Sequence, residues 1–243
     1  AMKMVAAAKL RKSQENMEKA RPYSQRLKNL IADLIYDIDR SLMPLLEKHS
    51  ENNKVGFVVV TSDRGLAGSF NTNIIKKAEK EIAKIGKENA ELFCVGKKGF
   101  EHFTKRDYTI INHYKDFWMT LNYSKAIDIG NDIVSAFVDK KIDSVQVVYN
   151  YFKNVGSQKL IFEQLLPLDF EKHEKKKNSN MIYEPSKVEI VKSLVPKYFN
   201  TQIWQYLLES FASEQAARML AMENATENAK DMINDLNLEF NKA

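Results

Sequence analysis

The stretch Ser62-Asp63-Arg64-Gly65-Leu66-Ala67-Gly68-Ser69 has the residue types and position for chemistry: it follows a strand-like run and opens a helix-like one. Backbone N–H groups at such a junction can cradle a phosphate. The pattern stops short of that chemistry. It lacks the Gly-Lys-Ser/Thr ending of a phosphate-binding loop and is not the three-glycine dinucleotide fingerprint. It reads as a tight turn in which Gly65 and Gly68 supply backbone freedom and Asp63 and Arg64 hold the turn. His49, His102, His113 and His173 are scattered without metal-ligand spacing. Asp37 and Asp39, two apart on an expected helix, point to different faces and form no carboxylate pair. Cys94 is the single cysteine, so no internal disulfide is possible. It falls in an expected buried strand, where a thiol is inert, and suits a reducing compartment. The residues therefore predict no catalytic, cofactor-binding or metal-binding site, and no cofactor.

These candidates must be positioned by an α/β domain spanning 54–168. Val55 to Thr61 is a short apolar strand, and Asn71 to Ile85 carries helical spacing through Ile74, Ile75, Ala78, Ile82 and Ile85. Glu91 to Val95 reads as a second strand, Lys97 to Phe103 as a short helix, and Ile110-Ile111 as a weak third strand. Ser124 to Val138 reads as a helix, Ser144 to Tyr151 as a strand, and Lys159 to Leu165 as an edge strand. Alternating strands and helices predict a mostly parallel, Rossmann-like sheet.

The two ends read differently. From Phe211 to Ala229, small residues recur every three or four positions (Ala212, Ala216, Ala217, Ala221, Ala225, Ala229) with no bulky aliphatic stripe. Such a slim helix can lie close to a second one and leave a smooth outer surface. The N-terminal 1–50 supplies the partner, with Ala20, Tyr23, Leu27, Leu30, Leu34, Ile38, Leu42 and Leu45 near the coiled-coil repeat. Residues 1–28 hold eight basic against two acidic residues, a net of +6. Residues 203–243 hold three basic against seven acidic, a net of −4. Opposite charges select pairing and orientation more than they add stability. The fold expected is thus α/β, with a long antiparallel two-helix coiled coil formed by 1–50 and 196–243. Pro22 should kink the first helix without breaking it. The second should run roughly 70 Å at 1.5 Å per residue. Between domain and coil, 169–195 reads as a linker with a Lys-rich run (Glu171 to Asn180) and a short helix from Ser186 to Leu194 after Pro185.

Charge and length exclude less. The net charge is +5 and the pI about 9.0, yet no nucleic-acid-binding motif accompanies them. No apolar run is long enough to span a bilayer, and no signal or transit peptide is visible, so any membrane association is expected to be peripheral. From the residues alone, a nucleotide-dependent enzyme on the α/β domain and a coiled-coil adaptor that tethers partners both stay open.

Four motifs occur in one order across essentially the whole chain: Met2-Lys3-Met4-Val5-Ala6-Ala7-Ala8-Lys9-Leu10, Thr61 to Gly68, Gln164-Leu165-Leu166-Pro167, and Ala212-Ser213-Glu214-Gln215-Ala216-Ala217-Arg218-Met219. Together they resemble the gamma subunit family of F-type ATP synthases, which often has Cys where this chain has Ala67. The resemblance implies the central rotor shaft of the F1 motor, itself non-catalytic. Its implied partners are the alpha and beta subunits, the epsilon (or delta-equivalent) subunit and the c-subunit ring, with no nucleic acid and no direct nucleotide binding. It also implies that Arg218 meets the catch loops of beta, with Glu214, Gln215, Met2 and Lys3 near the same level of the shaft. Tyr183 and Glu184 are implied to belong to the foot near epsilon and the c ring. The implied location is peripheral, on the cytoplasmic face of a bacterial plasma membrane or, alternatively, the matrix side of the mitochondrial inner membrane.

Overall fold

The computed structural model describes residues 2–35, 38–49, 53–170 and 183–242. Helix α1 spans Met2–Ile35 and passes through Pro22 unbroken. The other long helix of the pair spans Lys187–Lys242. The two run antiparallel: Lys3 pairs with Glu223, Arg21 with Glu209, and Gln202 donates to Ser24 Oγ at 2.6 Å.

Both coil boundaries differ from the sequence expectation. The first helix ends at Ile35 rather than near residue 50. Arg40–Leu42 and Pro44–Leu46 are single 3-10 turns separated by Met43 in extended conformation, the backbone a residue before proline favours. Asp39 is not on a helix but caps the first of these turns, accepting from Ser41 N at 3.0 Å; Asp37 lies outside the described residues. Leu45 and Leu46 are still buried, and Leu45 thus imitates a helical stripe while serving the globular core. At the other end the expected short helix and the C-terminal helix are one. It begins where Ser186 Oγ accepts from Glu189 N at 3.2 Å, a Ser-x-x-Glu start, and it carries Pro196 inside. Val191, Val195 and Phe199 around that proline are buried at 3% exposure or less, so packing holds the helix across one missing backbone bond. The Lys-rich run 171–180, with His173, lies outside the described residues.

Between the long helices in chain order lies the α/β body. Its elements are β1 (Val55–Val60), α2 (Phe70–Ile85), β2 (Ala90–Val95), α3 (Lys97–Thr104), β3 (Ile110–Tyr114), α4 (Tyr123–Val138), β4 (Ser144–Asn154) and β5 (Ser157–Leu166); the C-terminal helix is α5. The sheet order is β3-β2-β1-β4-β5, parallel except for the antiparallel edge strand β5. Period-two alternation divides the core. Val58 and Val60 face α4 and α5, while Phe57 and Val59 face α2 and its neighbours. Cys94 is fully buried, and burial pushes its thiol up to about 12, as an inert core cysteine requires.

β4 is longer than β1, and beyond Val148 only β5 pairs with it. This overhanging hairpin reaches the coil. Arg21 Nε and Nη2 donate to the Glu209 carboxylate at 2.7 and 2.9 Å. The Phe152 N–H donates to Glu209 at 3.0 Å, and its carbonyl accepts from Arg21 Nη2 at 2.9 Å.

Candidate functional site

Four segments converge at one level of the shaft: the first turns of α1, the loop after β1, the 3-10 turn Trp118–Thr120, and Phe211 to Arg218 on α5. They enclose a groove of about 420 Å³ with apolar walls from Met2, Val5, Leu66, Trp118, Met119 and Phe211. Trp118 stacks on Phe117 and Phe211 at centroid distances of 4.9 and 5.8 Å, which fixes the groove floor. Nothing in the sequence marked Trp118 or Met119, because a loop residue carries no periodicity.

Arg218 closes one end. Its Nη1 donates to the Gly65 carbonyl at 2.6 Å and its Nη2 to Glu214 Oε1, one helical turn back, at 2.5 Å. Glu214 is 6% exposed. Burial raises its pKa, Arg218 pulls it back down, and Asp63 pushes it up again. Gln215 is buried too, at 4% exposure, whereas Met2 is 67% exposed. Lys3 is half-exposed and paired with Glu223. The structure thus brings Arg218, Glu214, Gln215 and Met2 around one groove, with Lys3 beside it.

The loop after β1 works as a brace. Asp63 accepts from Lys97 N at 2.9 Å and from Asp116 N at 2.8 Å, tying the start of α3 to the turn before Trp118. Ser62 N donates to Asn71 Oδ1, and Ser62 Oγ donates to the Arg64 carbonyl. The left-handed positions are Leu66 (φ 62°) and Gly68 (φ 54°). The expectation of backbone freedom thus holds for Gly68; at the other turn position the sequence uses Leu66 rather than Gly65. A leucine there costs conformational energy. Its side chain, 70% exposed, lines the groove.

Tyr183 and Glu184 precede α5, on the far side of the body from Arg218. From Lys187 to Arg218 the helix rises roughly 47 Å. Tyr183 is half-buried against the main core and Glu184 is exposed. The described histidines go separate ways: His49 stacks on Phe137, His113 stacks on Phe100, and His102 Nε2 meets Glu79 at 2.7 Å. Among the described residues, no three His, Cys, Asp or Glu side chains gather as a metal site would need, and no helix is long and apolar enough to cross a membrane.

Beyond Glu223 α5 projects alone. Every described residue from Asn224 to Lys242 is exposed, among them Met232, Ile233, Leu236, Leu238 and Phe240.

A family model described as ATP synthase matches residues 1–243. The ATP synthase gamma chain of Chlorobium phaeobacteroides is 48% identical over 248 residues, covering all of this chain and 85% of that relative. The gamma chain of Prosthecochloris aestuarii is 46% identical over 250 residues with the same coverage. In architecture the chain is similar to the central stalk of the Tetrahymena thermophila mitochondrial ATP synthase, with a TM-score of 0.71 and 24% identity over 93% of this chain and 98% of that one. The rotor of the Euglena gracilis enzyme aligns with a TM-score of 0.58 and 19% identity over 97% of each chain.

Proposed function

Because the chain belongs to the ATP synthase gamma-chain family, we propose that it is the central stalk of an F1Fo ATP synthase, turning inside a ring of alpha and beta subunits. The observation that carries this reading is the antiparallel pair of α1 and α5, tied by Lys3 to Glu223 and Arg21 to Glu209 and seated against the α/β body. A slim two-helix rod anchored in one globular body is the shape a shaft needs.

The mechanism follows from asymmetry. The shaft's faces differ: one carries the groove and another the α/β body. It cannot present the same face to three equivalent catalytic subunits at once. Each is therefore held in a different state, and a third of a turn passes each state to the next subunit. In energetic terms, the shaft biases a bistable partner through differential contacts. The chain itself performs no catalysis in this reading. Its partners are alpha, beta, epsilon and the c-subunit ring, and it lies peripherally at the cytoplasmic face of a bacterial membrane.

Arg218, with Met2 and Lys3, is the contact with beta's catch loops. Its guanidinium now spends one donor on a neutral carbonyl, Gly65, which a carboxylate from beta can displace with a stronger, charge-assisted bond. Glu214 and Gln215, being buried, act by holding that arginine and the groove. Tyr183 and Glu184 serve the foot, toward epsilon and the c ring.

The test is reconstitution with matched alpha and beta subunits, following ATP hydrolysis and a bead attached through Lys105→Cys. The buried Cys94, its thiol pushed up to about 12, leaves the introduced cysteine as the reactive one. Unidirectional one-third turns are expected, and Arg218→Ala should reduce torque and weaken coupling several-fold. Failure to assemble where an established gamma chain does would overturn the reading.

A further inference from the structure

Glu209 is a charge buried at 0% exposure in the run Leu207-Leu208-Glu209-Ser210-Phe211. Its carboxylate takes three hydrogen bonds, two from Arg21 and one from Phe152 N, and Arg21 in turn holds the Phe152 carbonyl. The guanidinium also lies 4.6 Å from the Tyr151 ring centroid. Three elements therefore form a closed triangle in which α1, α5 and β4 each bind the other two. Ser213 Oγ adds a bond from α5 to the Asn150 carbonyl at 3.1 Å, one turn along.

The apolar contacts beside it are of another kind. Leu10, Met17, Ala212, Ala216 and Phe152 pack there through apolar surface. Apolar contact resists separation but is non-directional, so small smooth faces can slide and rotate. Charge-assisted forked bonds resist both. A carboxylate buried for the sake of a partly exposed arginine is a poor device for stability alone, because desolvation offsets much of the attraction; the best-attested use of such a pair is fixing register. β4 beyond Val148 has lost its β1 neighbour, and the overhanging hairpin touches the coil at this triangle.

We propose that Arg21 and Glu209, closed through the Phe152 backbone, are the joint that transmits torque between the shaft and the α/β body. They are positioning residues, acting on rotation through the strand they grip. The proposal rests on the rotor reading.

It is tested in the reconstituted alpha–beta complex with the bead on Lys105→Cys in the α/β body, recording its angular spread during pauses at limiting ATP. Glu209→Gln removes the charge, and Arg21→Lys keeps the charge while losing the fork. Both variants should hydrolyse ATP within twofold of the parent while the spread at least doubles, a change that simple loss of stability would not produce. An unchanged spread in both overturns the joint; where Glu209→Gln fails to fold, Arg21→Lys decides. A second reading uses the full chain without partners. Hydrogen exchange at the Phe152 amide should quicken at least tenfold in Glu209→Gln or Arg21→Lys, while β1 amides keep parental rates. Equal exchange at Phe152 overturns the joint whatever the complex does. A parent that never rotates overturns the rotor reading, and with it the torque the joint was to carry.

Discussion

Glu214 is a carboxylate that folding takes out of water and leaves with one strong partner. Burial raises its pKa above the ordinary value of a glutamate despite Arg218. The sign follows from proton linkage. Just above the unfolded pKa, the folded state binds more protons than the unfolded state, so stability falls as pH rises toward the folded value. Glu214→Gln lacks this dependence. Comparing melting temperatures of parent and variant from about pH 4 to 8, the variant should gain relative to the parent as pH rises through that window. A constant difference would mean that Arg218 fully compensates the burial. Glu209, a lone acid among Leu207, Leu208 and Phe211, is a readable anomaly in the sequence, but its partner Arg21, 188 positions away, is not. Arg218 was legible as a motif residue; that it leans on Gly65 was not, because a backbone carbonyl has no sequence signature.

At the scale of elements, periodicity located every strand and helix of the α/β body to within a few residues, because each has one buried face and a clear turn at either end. It misplaced the coil boundaries. Leu42 and Leu45 fit a helical stripe yet fold in turns, and Pro196, the expected start of the C-terminal helix, sits inside α5. Tertiary packing overrode local preference at both places. The small-residue face of α5 gives a direct test. Ala216, fully buried beside Leu10, Phe152 and Ala212, has no room to grow. Ala216→Leu should cost about 1–3 kcal/mol in urea unfolding through overpacking, although leucine is nearly as good a helix former as alanine. A neutral result would show that the two helices separate more readily than their contact implies.

For the whole molecule, stability and function lie at different ends of the shaft. Core burial is concentrated from Val191 to Ala216 on α5 and from Leu27 to Ile35 on α1, where the α/β body wraps the coil. Residues 224–242 are exposed throughout. A chain ending at Glu223 should therefore melt within about 2 °C of the parent, since an unpacked helix adds little to cooperative stability. The same truncation should abolish or strongly weaken rotation of the reconstituted complex; full retention would remove residues 224–242 from the proposed mechanism. What the sequence determined by itself is the element list, the slim terminal helices, their opposite charges and the family, because each is written in local periodicity or short motifs. The tertiary structure alone decided where the coil ends, that the loop after β1 braces Arg218, and that Arg21, Glu209 and Phe152 meet. Those outcomes depend on contacts between residues far apart in the chain, and only the closed fold brings them within hydrogen-bonding distance.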